Sequence, residues 1–391
     1  MRRAVVTGLG VMSPFGAGVK AYWAGLAGGA CAIRPLSLFE ATGFRCSIAG
    51  EVPEIAGGSR RRTRADRLGL IAACEALDDA GLETSERREA ALVVGAVGGG
   101  MFEAEAWYWA RASREARRPT ALRTMLPGSH AAALGHHLHL RGPCQTVVTA
   151  CSSGAVALAE AADLVAEGVV DVAVAGGVDA LTRLCFMGFN ALKLLDPEPC
   201  RPFDRDRRGM SIGEGAAFVV LEAAEHAQAR GARIYAELGG HGMTTDAFHV
   251  TSPHPDGEGM ARAMHVAIAA AGVPVSAVGY VNAHGTATPQ NDRIEAQAIA
   301  RVFGGGRVLV SSTKSMIGHT MAAAGSLEAL ATVLAMVHDV VPPTVHLTSP
   351  DPDVPFDCVP GIARETPLPA AVSNSFGFGG QNVTLLFRRA C

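Results

Sequence analysis

TVVTACSSG, residues 146–154, joins a run of β-branched residues to a cysteine, two serines and a glycine. The run at 146–150 predicts a buried strand, and the small apolar residues at 155–167 predict a helix. Cys151 is therefore expected in a strand-to-helix turn. The same order returns later in the chain, where VLVSSTK at 308–314 precedes a predicted helix at 322–337.

A second pair of elements is repeated as well. A predicted helix at 66–80 precedes a strand at 91–95, and a predicted helix at 260–271 precedes a strand at 278–281. Alternation of helices with short apolar strands predicts an α/β fold with buried sheets. We expect two similar halves, an N-terminal one at 1–230 that carries Cys151 and a C-terminal one at 231–391.

An insertion at about 101–127 distinguishes the N-terminal half. It contains Trp107, Tyr108 and Trp109 and an arginine-rich stretch that runs through Arg118. Such an aromatic and charged segment is typical of a cover over a pocket or of a subunit interface. A surface helix that caps the core is an equally good interpretation.

Cys151 is the candidate nucleophile. A sulfur at the N-terminus of a helix lies near unpaired backbone N–H groups and the positive end of the helix dipole, which lower a thiol pKa. We therefore expect a lowered pKa for Cys151. The alternative is an inert, buried structural cysteine.

Two histidines lie in separate turns of the C-terminal half, and the turn with Lys314 and His319 corresponds to the one that carries Cys151. VNAHGTATPQND at 281–292 brings His284 out of a strand into a turn rich in hydroxyl groups, which suits an imidazole donor or base. SSTKSMIGHTMAAAGSLE at 311–328 carries Lys314 and His319, and Glu328 is a candidate ion partner for Lys314. A glycine-dense turn, SFGFGG at 375–380, can bring backbone N–H groups close to a reacting oxygen; a plain β-turn is the alternative.

Composition excludes several classes of function. The 391 residues allow two or three domains at roughly 100–200 residues each. The net charge of −3 argues against a nucleic-acid partner, and the nine scattered cysteines fit free thiols in a cytoplasmic protein. Glycines near the N-terminus interrupt the apolar run that a signal peptide would need. The sequence contains no stretch of 18 or more uncharged apolar residues, so a membrane span is not expected. The Gly8-Leu9-Gly10 sequence lacks the third glycine of a dinucleotide fingerprint, and His136, His137 and His139 lack Cys or Asp partners for a metal site.

The motifs TACSSG (149–154), NAHGTATPQND (282–292), STKSMIGHTMAAAGSLEA (312–329) and NSFGFGGQN (374–382) occur together in one order. With them the chain resembles, over residues 5–386, the β-ketoacyl-ACP synthases, the condensing enzymes of fatty-acid and polyketide synthesis. The resemblance implies an α/β, thiolase-like duplicated fold of five αβαβα layers. It also implies a decarboxylative condensation of malonyl-ACP with an acyl chain, in fatty-acid or type II polyketide or polyene synthesis.

The resemblance assigns roles to single residues. It implies that Cys151 carries the acyl chain, that His284 and His319 serve decarboxylation, and that Lys314 with Glu328 organises the site. The backbone amides of Cys151 and Phe378 would form an oxyanion hole, with Phe378 also gating the pocket. The remaining assignments are Thr286 and Thr288 as contacts of phosphopantetheine, Phe186 as a further substrate-binding residue, and Asp292 as a supporting residue.

The expected partners are an acyl carrier protein and a second synthase-like chain, in a homodimer or in a heterodimer with a chain-length factor. We expect no resident cofactor and no metal, because phosphopantetheine arrives on the carrier protein. Two alternatives remain: a chain-length-factor-type subunit with little condensing activity of its own, and a thiolase-like acyltransferase. The presence of Cys151 argues against the first, and the second histidine argues against the other.

Overall fold

The computed structural model of the chain describes residues 2–53, 62–115, 119–126, 128–306 and 308–390. Within these ranges the strands are β1 (Ala4–Ser13), β2 (Gly16–Ala17), β3 (Arg34–Pro35), β4 (Ile48–Ala49), β5 (Ala91–Gly95), β6 (Cys144–Val147), β7 (Val172–Asp179), β8 (Gly215–Ala223), β9 (Ala236–Thr245), β10 (Val278–Asn282), β11 (Leu309–Ser311), β12 (Val340–Val341), β13 (Arg364–Glu365), β14 (Ala370–Gly377) and β15 (Gln381–Arg388).

The helices are α1 (Val19–Ala27), α2 (Arg64–Ala80), α3 (Thr84–Glu89), α4 (Met101–Ala112), α5 (Ser129–His137), α6 (Ser153–Ala166), α7 (Arg183–Ala191), α8 (Ala224–Ala229), α9 (Glu258–Ala271), α10 (Pro289–Phe303), α11 (Lys314–Ile317) and α12 (Ala324–His338). Short 3₁₀ turns cover Pro119–Met125, Ala150–Ser152, Val275–Ala277 and Met321–Ala323.

The strands form two sets of five with one topology. The N-terminal set has the order β6-β5-β7-β8-β1, and the C-terminal set has the order β11-β10-β14-β15-β9. In each set the first three strands in that order are parallel and the last two pairings are antiparallel. The two sets therefore repeat one unit, and they join where Val5 and Val6 of β1 pair with Glu237 and Ala236 of β9.

The layers alternate as the family resemblance implies. Helices α6 and α12 pack against each other and against the inner faces of both strand sets. Helix α2 covers the outer face of the N-terminal set, and α9 and α10 cover the outer face of the C-terminal set. The fold is therefore a duplicated αβαβα arrangement with five layers.

The central helix α12 is apolar and buried in the core. The segment Met321–His338 is long and apolar enough to cross a membrane, but 89% of it is buried inside the fold. Its residues contact both sheets, so this segment is a core helix.

Close packing explains two N-terminal glycines. A Cβ atom on Gly8 would lie 2.2 Å from the carbonyl oxygen of Ala76, and one on Gly10 would lie 1.9 Å from that of Ala72. Both glycines therefore allow α2 to lie directly on β1, which is a structural reason for the pattern that resembles part of a dinucleotide motif.

The insertion forms α4 and the 3₁₀ turn at Pro119–Met125, which contact each other on the surface. Its tryptophan segment lies in α4, where Tyr108 and Trp109 are 62% and 58% exposed. The predicted arginine-rich stretch falls partly on residues 116–118, outside the described residues, as does residue 127.

Candidate active site

Three turns at the carboxyl ends of strands meet around one cavity. Cys151 lies in the turn between β6 and α6, His284 follows β10, and His319 follows α11. All three side chains line a cavity of about 360 Å³. The structure therefore brings together residues that are 168 positions apart in the chain.

Each of these turns contains a non-glycine residue in the left-handed region. Ala150 has φ +50°, Ala287 has φ +66° and Met321 has φ +53°. Such a conformation costs of order 1–3 kcal/mol and persists only where neighbouring contacts impose it. The predicted strand at 146–150 ends early, at Val147, because the chain must turn before Cys151.

The environment of Cys151 overturns one expectation. Its sulfur accepts a hydrogen bond from the backbone N–H of Phe378, and the charge of Lys314 also favours the thiolate. Burial nevertheless raises the pKa of the Cys151 thiol to about 11. The predicted lowering of this pKa was wrong because removal of water from the sulfur outweighs the nearby charge and N–H groups.

His284 is held beside a buried ion pair. Lys314 is 1% exposed and pairs with Glu328, while its Nζ lies 3.3 Å from Nδ1 of His284. An ammonium group can only donate, so Nδ1 of His284 accepts and Nε2 carries the proton. Burial lowers the pKa of His284 well below its usual value, and the charge of Lys314 lowers it further. The imidazole is therefore neutral at pH 7.

His319 has the same tautomer for a different reason. The backbone N–H of Met321 donates to Nδ1 of His319 at 3.1 Å, which leaves the proton on Nε2. Burial, followed by the charge of Lys314, lowers the pKa of His319 well below its usual value. The rings of His284 and His319 lie edge to face with centroids 5.3 Å apart. The cavity thus receives two neutral imidazoles.

Two buried carboxylates hold the His284 turn. Glu295 accepts the backbone N–H groups of His284 and Gly285, each at 2.8 Å. Asp292 accepts the N–H of Ala287 at 3.1 Å and that of Phe203 at 2.8 Å. Sequence reasoning missed Glu295, although its position three residues after Asp292 on α10 places both carboxylates on one helix face.

The hydroxyl groups of Thr286 and Thr288 lie 2.9 Å apart, and both threonines line the cavity, as does Phe378. Phe186 does not. It is fully buried against Phe39 and Phe44, because this face of α7 turns toward the core. Phe189, which lies 6.1 Å from Phe378 between ring centroids, lines the cavity instead, and a substrate-binding role for Phe186 stays a prediction.

No cluster of three or more His, Cys, Asp or Glu side chains that could hold a metal ion occurs in the described ranges.

Comparison with known families agrees with this geometry. Residues 1–227 match the model of the β-ketoacyl synthase N-terminal domain, and residues 235–348 match that of the β-ketoacyl synthase C-terminal domain. The chain belongs to the β-ketoacyl synthase family. This synthase is 41% identical to the 3-oxoacyl-[acyl-carrier-protein] synthase 2 of Vibrio harveyi, over 99% of each chain.

Solved structures of the same fold cover the whole synthase. One, described as the ishigamide ketosynthase/chain length factor, has a TM-score of 0.96 and 37% identity over 100% of both chains. Another, a type II polyketide ketosynthase (AntDE) in complex with its acyl carrier protein (AntF), has a TM-score of 0.93 and 30% identity over 100% of both chains.

The raised pKa of Cys151 predicts slow, pH-dependent alkylation. The thiolate fraction should rise about tenfold for each pH unit from pH 7 to pH 10, so the rate of reaction with iodoacetamide should rise in proportion. Peptide mass spectrometry measures the rate at Cys151, and Cys151→Ser identifies the peptide. A rate that levels off below pH 9 would contradict the raised pKa.

Proposed function

We propose that this chain is a β-ketoacyl-ACP synthase that transfers an acyl chain to Cys151 and condenses it with a malonyl unit. The observation that carries the proposal is one cavity lined by a thiol and by two neutral imidazoles whose Nε2 atoms carry the protons. A single acyl transfer needs only a nucleophile and a base. The second imidazole donor is what an enolate intermediate requires.

The first half-reaction is acyl transfer. Sγ of Cys151 attacks the thioester carbonyl of an acyl-carrier protein, the carbon–sulfur bond to the carrier breaks, and the carrier thiol leaves with the proton that Sγ loses. Because the thiol is protonated at rest, its proton must leave as the new bond forms, and the departing carrier sulfur takes it up, since both cavity imidazoles already carry a proton on Nε2. The N–H of Phe378 lies next to the sulfur and, with that of Cys151, is suited to stabilise the oxyanion.

The second half-reaction is decarboxylation and condensation. Malonyl-carrier protein loses CO₂, and the electron pair of the broken bond forms an enolate whose oxygen accepts hydrogen bonds from Nε2 of His284 and His319. The enolate carbon then attacks the acyl-Cys151 carbonyl, and Sγ leaves as a thiolate that takes a proton from water. Neutral imidazoles suit this step, since an imidazolium would protonate the enolate before it reacts.

The carrier protein supplies its own prosthetic group. We propose that its phosphopantetheine arm passes Thr286 and Thr288, whose paired hydroxyls lie on the wall of the cavity. On this reading the chain needs no resident cofactor, and it acts in the cytoplasm.

Separate assays of the two half-reactions test the function. Incubation with acyl-carrier protein should add the acyl mass to the Cys151 peptide, and malonyl-carrier protein should then release CO₂ and yield a β-ketoacyl product. Cys151→Ala should abolish acyl loading and condensation. A chain-length-factor-type subunit would load nothing in the wild-type form, and a thiolase-like acyltransferase would load but release no CO₂; either result would contradict the proposal.

Lys314→Arg should impair decarboxylation although it keeps the positive charge. The larger guanidinium must replace a compact ammonium that is 1% exposed and contacts both Glu328 and His284. We expect the rate of CO₂ release to fall by at least about tenfold, as is typical when a group that positions an acid or base is lost. Arg301→Lys, on the surface of α10, is the matched control. An unchanged rate in Lys314→Arg would show that only the charge matters.

We further propose that a second synthase-fold chain covers the exposed face of α4. Large apolar side chains cluster there, namely Tyr108, Trp109, Leu122, Met125, Leu184 and Met187, and they line a cavity of about 340 Å³. An exposed apolar cluster of this kind is typical of a protein interface. The similarity to a ketosynthase/chain-length-factor structure supports a partner of the same fold.

Native mass spectrometry tests this interface. The wild-type chain should form a dimer alone, or a heterodimer with a coexpressed chain-length-factor subunit. Trp109→Glu should dissociate either complex. Ile362→Glu, at an apolar residue that is 78% exposed and lies outside this cluster, should not. A monomer under both conditions, or equal effects of the two substitutions, would contradict the proposal.

A further inference from the structure

Asp179 is a fully buried carboxylate at the end of β7. Its Oδ1 accepts the backbone N–H of Gly98 at 2.7 Å, and its Oδ2 accepts that of Ala322 at 3.0 Å. Across the described ranges no Lys, Arg or His side chain lies within ion-pairing distance of it. Backbone N–H groups from two separate loops therefore stabilise this carboxylate.

The loop that contains Ala322 also carries His319. Met321, whose N–H donates to Nδ1 of His319, directly precedes Ala322 and has the left-handed φ of +53°. The carbonyl oxygen of Ala322 lies between Gly154 and Gly177. A Cβ atom added to Gly154 would lie 2.7 Å from this oxygen, and one added to Gly177 would lie 2.5 Å from it. The Asp179 hydrogen bond thus completes the contacts that hold this turn.

The loop that contains Gly98 is the glycine turn at 98–100, which leads from β5 into α4. Each glycine of this turn lies against a different side chain. A Cβ atom on Gly98 would lie 2.7 Å from Oδ1 of Asp179, and a Cβ atom on Gly99 would lie 3.0 Å from Nε2 of His130. On Gly100 it would lie 1.8 Å from the hydroxyl oxygen of Thr124. Only glycine fits beside the carboxylate, so Asp179 and this turn are packed as one unit.

We propose that Asp179 is a positioning residue for decarboxylation. By accepting the N–H of Ala322 it keeps the adjacent Met321 N–H on Nδ1 of His319, so that the Nε2 proton stays directed into the cavity. This inference rests on the proposed function. Asp179 itself does not line the cavity and touches no reacting atom.

Asp179→Asn is the informative substitution. The amide has nearly the shape of the carboxylate but only one acceptor oxygen, so it can satisfy Gly98 or Ala322 and must present an NH₂ group to the other N–H. The Ala322 turn then loses its anchor or the glycine turn shifts. Gly98→Ala is a second variant, which displaces the carboxylate by steric contact and keeps its charge.

The experiment compares the two half-reactions in the full-length chain. We expect Asp179→Asn to slow CO₂ release from malonyl-carrier protein by at least about tenfold while acyl loading of Cys151 stays within about twofold. The matched control is Glu222→Gln. Glu222 is an equally buried carboxylate at the opposite end of the β7–β8 pairing, held by Thr7, His226 and Arg230, and both half-reactions should stay within about twofold.

A spectroscopic readout separates positioning from general destabilisation. With ¹⁵N-labelled histidine, the wild-type His319 signals, assigned by comparison with His319→Asn, should show a protonated Nε2 and an accepting Nδ1. Asp179→Asn and Gly98→Ala should shift Nδ1 toward an unbonded or mixed tautomer, and Glu222→Gln should not.

Two results would overturn the inference: unchanged CO₂ release in Asp179→Asn, or an equal loss of both half-reactions with unchanged His319 signals. If Asp179→Asn does not fold, Gly98→Ala decides by the same criteria. Failure of the proposed function looks different, because then the wild-type chain itself would neither load acyl groups nor release CO₂, and the His319 tautomer would still test the role of Asp179.

Discussion

The buried ion pair between Lys314 and Glu328 is the interaction on which the rest of the site depends. Two charges that are almost fully removed from water tolerate burial only while they remain together, and loss of one partner costs about 3–5 kcal/mol. The pair joins the turn after β11 to the central helix α12, so the layer arrangement holds it closed. From there its ammonium contacts Nδ1 of His284 and lowers the pKa values of both cavity histidines.

Burial acts on neutral and on acidic groups around the same cavity. Burial keeps the imidazoles neutral and the thiol protonated, so none of these three cavity side chains carries a charge at pH 7. Burial also raises the pKa values of Glu295 and Glu328 to about 7, yet both carboxylates are supplied with donors, backbone N–H groups for the first and Lys314 for the second. Electrostatic preorganisation of this kind requires a rigid frame, and the strained turns at Ala150, Ala287 and Met321 are part of it.

Much of this arrangement could be predicted from the sequence because it follows from periodicity and turn chemistry. The repeated helix–strand pattern predicts the duplicated α/β fold, and the four motifs, through the family resemblance, predict that Cys151, His284 and Lys314 belong to one site. The remaining features depend on contacts that leave no local signal. Asp179 accepts backbone N–H groups of residues distant in the chain, Phe186 and Phe189 differ only in which face of α7 they occupy, and the pKa of Cys151 depends on how completely the fold excludes water.

The meeting of the two central helices has a consequence for how the protein is made. Helix α6 comes from the N-terminal half and α12 from the C-terminal half, and the two pack against each other. On the ribosome the cysteine emerges 163 residues before Lys314, so the nascent N-terminal half has neither the ammonium nor the second wall of the cavity. Chemistry at the thiol is thereby delayed until α11 and α12 have been synthesised, and the face of α6 that packs on α12 stays uncovered until then.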